Sequence, residues 1–136
     1  MDEVTEYTKQ VDQQLKDLGI TDPYYGWYLT TTYGKQTDYI LGKINYFLNE
    51  AIEEKLIRAE VWYGVHHEMV NGLSDFFVRR TGRLYFDIHS IHQYRELVQE
   101  DLVKYLGWDE QRLEQERSYL AMLLQDAATY YEKEME

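Results

Sequence analysis

A single proline, Pro23, stands in a chain of 136 residues. Proline is the residue a helix interior tolerates least, so nearly the whole chain is free to be helical. Its breaks must then come from glycine. The eight glycines (Gly19, Gly26, Gly34, Gly42, Gly64, Gly72, Gly82 and Gly107) never stand closer than seven positions apart. That spacing excludes the G-x-G-x-x-G turn and the G-x-x-x-x-G-K loop, the two glycine-rich devices that cradle dinucleotides and triphosphates. There are no cysteines, which removes disulfides, thiolate metal sites and a thiol nucleophile. Their absence suits a reducing compartment. With 44% hydrophobic residues, the length supports one domain with its own core.

Between the breaks the apolar residues recur at helical spacing. Val4, Tyr7, Val11, Leu15 and Leu18 predict a thin-striped helix over 3–18, stopped by Gly19. Asp22-Pro23 restarts the chain, with proline suited to a first helical turn. Residues 24–33 are so aromatic that strand and helix both stay open there. Tyr39, Ile40, Ile44, Phe47 and Leu48 predict a helix over 36–49. Ile57, Val61, Val65 and Met69, widened by Trp62, predict another over 52–70. Ser74 is placed to cap a short helix through Arg80, ended by Gly82, and 82–88 reads weakly as a strand. Ile88, Ile91, Tyr94, Val98 and Leu102 predict a helix over 88–106 that ends at Gly107. Asp109 can cap the last helix, striped by Leu113, Leu120, Leu124, Ala127 and Tyr131. The expectation is an all-α, compact, bundle-like domain of about six helices.

The formal charge is -11, of which residues 1–22 and 109–136 carry -9. A nucleic-acid partner is not expected, because phosphate backbones are held by clustered Lys and Arg. Such acidity also opposes a direct electrostatic membrane anchor. No apolar run approaches the ~20 residues of a membrane span. The acidic start Met1-Asp2-Glu3-Val4 has no apolar segment of the kind a secretory signal needs.

Few residues carry chemistry. His66, His67, His89 and His92 could, with Glu68, assemble a metal site, but neither H-E-x-x-H nor a pair of Glu-x-x-His motifs is present. Histidines on helix surfaces explain them more simply. No G-x-S-x-G elbow exists. The 14 tyrosines and three tryptophans either mark an interface or are core residues with satisfied hydroxyls. The informative cluster is Asp75-Phe76-Phe77-Val78-Arg79-Arg80-Thr81-Gly82-Arg83. Asp75 and Arg79 are i, i+4 partners in the favourable order, which leaves Arg80 to reach another element. Asp75, Arg79, Arg80 and Arg83 therefore predict a salt-bridge network within the fold, a clamp on a carboxylate or phosphate, or a contact to another domain.

That cluster, with the preceding His67-Glu68-Met69-Val70 and the following Leu84-Tyr85-Phe86-Asp87, resembles the C-terminal domain of FAD-dependent glycerol-3-phosphate dehydrogenases and α-glycerophosphate oxidases. Leu29 to Tyr33-Gly34 with Leu41, Glu60-Val61-Trp62-Tyr63, and Leu106-Gly107-Trp108-Asp109 with Arg112 and Glu116 agree with the same family in the same order. The resemblance covers residues 28–117. It implies an enzyme that oxidises sn-glycerol 3-phosphate to dihydroxyacetone phosphate by hydride transfer to FAD. The flavin and substrate sites would lie in a separate flavoprotein domain, so FAD is expected in the whole enzyme and not on this chain, and no catalytic residue is carried over. The expected division is a segment at 1–22 outside the resemblance and a cap domain at 23–136. The expected partner is the FAD/substrate domain of the same enzyme, in a cytoplasmic setting or peripheral to the inner face of the membrane, with room for a homo-oligomer. Two other readings stay open: a free-standing helical protein-interaction module, and a histidine-based metal-binding domain.

Overall fold

The computed structural model describes residues 3–48 and 51–134. Those residues divide after Tyr63 into two compact units.

In the first unit, α1 (Glu3–Leu18) ends where Gly19 takes φ +101 and its N–H returns to the Lys16 carbonyl. The chain re-enters a helix at α2 (Pro23–Tyr33). The Asp22 side chain accepts the Tyr24 N–H, and Pro23 opens the first turn without losing a hydrogen bond. The aromatic stretch left open as strand or helix is therefore helix, because local capping outweighs the weak strand preference of its rings. The predicted helix over 36–49 is broken instead. A 3-10 turn at Gly34–Gln36 leads into α3 (Thr37–Lys43), and a second 3-10 turn at Ile44–Tyr46 follows. The buried Thr37 hydroxyl holds the break by donating to the Gly34 and Leu29 carbonyls. The expected limit at residue 49 lies outside the described residues, as do the side chains of Val4 and Tyr131.

The core of this unit takes only part of the predicted stripes, because the break after Tyr33 and the 3-10 turn at Ile44–Tyr46 leave Tyr39 and Leu48 exposed. Val11 and Leu15 of α1 pack with Leu29 of α2, Ile40 of α3 and Ile44. Leu56, Ala59 and Tyr63 close it from α4 (Ile52–His67). Gly26 faces α1, where a Cβ would meet only the Asp12 carboxylate, a side-chain end that can swing aside.

α4 stops at His67, short of the predicted residue 70. Met69 adopts φ +60, and the Val70 N–H bonds back to the Gly64 carbonyl at 2.9 Å. The bond spans one residue more than a Schellman closure, with the left-handed Met69 just before it, and the Gly64 carbonyl also accepts the Glu68 N–H at 3.1 Å. In the second unit, the segment predicted as an α-helix over 75–80 is a π turn, Asp75–Arg80. The Phe76 carbonyl accepts both the Thr81 N–H, at 3.0 Å, and the Thr81 hydroxyl, at 2.9 Å. That five-residue step widens the turn, so the adjacent Phe76 and Phe77 both reach the interior, edge to face at 5.3 Å. Ser74 is not a cap. It is already helical, and its hydroxyl is buried with no partner among the described residues.

The weak strand over 82–88 is also corrected. Gly82, in the left-handed region, starts a one-turn helix, α5 (Arg83–Phe86). Asp87 then caps α6 (Ile88–Leu106) through the Ser90 N–H. Gly107 ends α6 with φ +66, and Asp109 accepts the Arg112 N–H as α7 (Glu110–Glu134) begins. Ile91, Val98, Leu102, Leu120 and Leu124 are buried as their spacing predicts. The fold class is all-α as expected, 86% helical with no strand among the described residues. The described residues form seven α-helices, close to the expected six: the open aromatic stretch is α2, and the expected short helix at 74–80 gives way to the π turn followed by α5.

Candidate functional site

The basic cluster of the second unit is built around the loop between α4 and the π turn. The Asp75 carboxylate accepts the Asn71 N–H at 3.1 Å and the Arg79 Nε at 2.5 Å. Arg79 is otherwise solvent-facing, so this pair is worth little by itself. Arg80 turns the other way and pairs its Nη2 with Glu68, the first residue beyond α4. Arg83 is buried, donating from Nε to the Ser90 hydroxyl at 3.1 Å and lying over the Phe76 ring. The four residues thus sit on one short stretch but reach three different supports: their own turn, the end of α4 and the start of α6.

A second grip on the same loop comes from α7. Glu116 accepts the Leu73 N–H at 2.9 Å with one oxygen and the Arg112 Nε at 3.2 Å with the other. Arg112 also donates to the Asn71 carbonyl at 3.1 Å. Gly72 permits this approach, since a Cβ there would stand 2.4 Å from Glu116. The carboxylate of Glu116 supplies from across the fold the acceptor that Ser74 does not. Arg112 and Glu116 were singled out in the sequence only through the family resemblance, and nothing in their local spacing pointed to residue 73.

In the first unit the outstanding polar group is Glu60, 0% exposed in the middle of α4. The same Oε1 accepts the Tyr28 hydroxyl at 2.5 Å and the Tyr33 hydroxyl at 2.9 Å. Glu60 carried no functional expectation, because it occupies an ordinary helix position in the sequence. At the rim of this unit Tyr7 donates to Asp38 at 2.9 Å. Burial, then the Asp38 hydrogen bond and charge, push the phenol up from 10.0 to about 12.

The histidines do not assemble. His66 and His67 end α4, and His89 and His92 lie on the first turns of α6, all four exposed. His66 instead packs edge-to-face on Tyr105. No group of three or more His, Asp or Glu side chains comes together among the described residues. The described residues also do not fit FAD. No strand leads into any helix among the described residues, and of the four glycines with positive φ, Gly19, Gly34 and Gly107 end helices while Gly82 opens the one-turn α5. No helix among these residues is long and apolar enough to cross a membrane.

Comparison with known proteins is consistent across sequence and structure. The family model described as the C-terminal domain of alpha-glycerophosphate oxidase matches residues 4–113, and so takes in α1. An aerobic glycerol-3-phosphate dehydrogenase of Bacillus subtilis (strain 168) is 34% identical over 108 residues, covering 77% of this chain and 20% of that protein. The enzyme of the same name from Staphylococcus haemolyticus (strain JCSC1435) is 33% identical over 81 residues, 59% of this chain and 14% of that protein. Among solved structures, the glycerol-3-phosphate dehydrogenase from Bacillus halodurans, complexed with FAD, matches with a TM-score of 0.75 at 29% identity. It covers 88% of this chain and 25% of that one. The chain therefore spans a fifth or less of the length of these two curated relatives.

Proposed function

The chain belongs to the family of the C-terminal domain of alpha-glycerophosphate oxidase, and from that membership we propose that it serves as the helical cap of an FAD-dependent glycerol-3-phosphate oxidase or dehydrogenase. The whole enzyme would convert sn-glycerol 3-phosphate to dihydroxyacetone phosphate. The observation that carries this reading is the family match over residues 4–113, with the solved FAD-bound relative following the same fold. The contribution of this chain is structural. It covers and steadies a flavin-binding domain, its partner, which holds the cofactor and the substrate. The proposed setting is cytoplasmic, or peripheral to the inner face of the membrane, and self-association of the enzyme is part of the same proposal.

Asp75, Arg79, Arg80 and Arg83 are proposed as the residues that hold the π turn in place and meet the flavin-binding domain. The motive is a basic cluster in an acidic chain, tied to three elements of its own unit. In the whole enzyme Arg80→Ala is expected to lower stability by about 1–3 kcal/mol and to weaken FAD retention, because Glu68 loses its partner. Thermal unfolding and flavin content after gel filtration read both quantities. If flavin retention and stability both stay unchanged, the interdomain role is wrong. A direct check on the cap reading is to mix this chain with FAD and desalt it: no flavin absorbance should remain with the protein.

A further inference from the structure

α6 and α7 enclose a groove of about 360 Å³ that none of the roles above uses. Arg95, Glu96 and Gln99 line it from α6, and Glu114, Arg117 and Ser118 line it from α7. Leu120, almost fully buried, forms part of the lining. A volume of this size lies at the lower end of small-molecule pockets.

The polar groups of the groove are poorly satisfied by one another. Arg95 makes no ion pair or hydrogen bond among the described residues. Arg117 reaches Glu96 only at 4.0 Å, and the Ser118 hydroxyl reaches Glu114 at a long 3.3 Å. Gln99 is only 6% exposed, yet it too has no hydrogen bond among the described residues, and its side chain lines the groove. Two guanidiniums and two carboxylates make the lining neutral overall but strongly divided in sign. A simple anion would gain from the arginines and be repelled by Glu96 and Glu114. A simple cation would meet the reverse. A small ligand that carries both charges satisfies both pairs.

We propose that this groove is a binding site for a free α-amino acid. Its carboxylate would take the two-pronged donor of Arg95 with help from Arg117, and the Gln99 amide would add a further hydrogen bond. Its ammonium group would lie against Glu114. Glu96, largely exposed, would release Arg117 as the ligand enters. This site is independent of the enzyme reading, because it needs only α6 and α7 of this chain.

The test is titration of the full chain with glycine, with L-leucine, and separately with acetate and methylamine, followed by backbone amide NMR. The expected result is saturable shifts confined to α6 and α7 for an amino acid, with a Kd on the order of 1–10 mM. Acetate or methylamine alone should bind at least about tenfold more weakly, since each meets one repelling pair. Arg95→Met should abolish the amino-acid shifts, and Glu114→Gln should narrow the gap between amino acid and acetate. Circular dichroism of both variants verifies that the helices remain. No saturable shifts up to about 100 mM, or shifts that survive in folded Arg95→Met, would overturn the proposal.

Discussion

At the scale of single residues, the buried Glu60 and the left-handed Met69 make opposite predictions. Glu60→Ala removes the acceptor of two tyrosine hydroxyls in the core, and should destabilise the chain by about 3–5 kcal/mol in urea unfolding. Glu60→Gln keeps an acceptor and should cost less. Met69 is 85% exposed and has φ +60, so its side chain contributes little while its backbone is strained. Met69→Gly should therefore stabilise the chain by about 1 kcal/mol. Tyr7 sets a pH dependence. Its neutral form is favoured in the folded state, so its contribution is complete below the usual pKa of 10.0 and is lost as pH rises through about 12. Phenolate absorbance should show one tyrosine titrating late, and Tyr7→Phe should remove that late step.

Among the elements, the joint between α4 and the π turn concentrates the non-standard geometry. Gly64 gives its carbonyl to Val70 and leaves room for it: a Cβ on Gly64 would meet Val70 Cγ2 at 2.9 Å and Phe76 at 4.0 Å. Alanine would improve helix propensity but push Val70 away from the end of α4. The packing loss wins because Val70 is wedged in the interior and cannot swing to solvent, so Gly64→Ala should lower stability by about 1–2 kcal/mol. Hydrogen exchange should locate the loss in residues 64–81, with α7 unaffected. The π turn itself shows why its helix type was not readable. An extra residue in a turn leaves no mark on composition, and the Thr81 side chain that reinforces it is an ordinary polar residue until the Phe76 carbonyl is beside it.

For the whole molecule, the charge of -11 predicts self-repulsion. Raising salt from about 10 to 150 mM should raise the melting temperature, since screening acts over roughly 8–30 Å. Binding to phosphatidylserine vesicles should stay undetectable. What the amino-acid order determined by itself is local. Gly19 and Gly107 end helices, Asp22, Pro23 and Asp109 begin them, and the stripes of α1, α6 and α7 choose the buried side. Each of these rests on residues within about one helical turn of one another. Tertiary structure alone decided the rest. Glu60 is buried because α2 brings two tyrosines to it from about thirty residues away. Glu116 serves the loop at Leu73 from 43 residues away. The units part at Tyr63 inside a continuous helix whose periodicity does not change there. The energies that settle such pairings come from desolvation and close packing between distant segments, and a linear pattern of side chains carries no record of which segments meet.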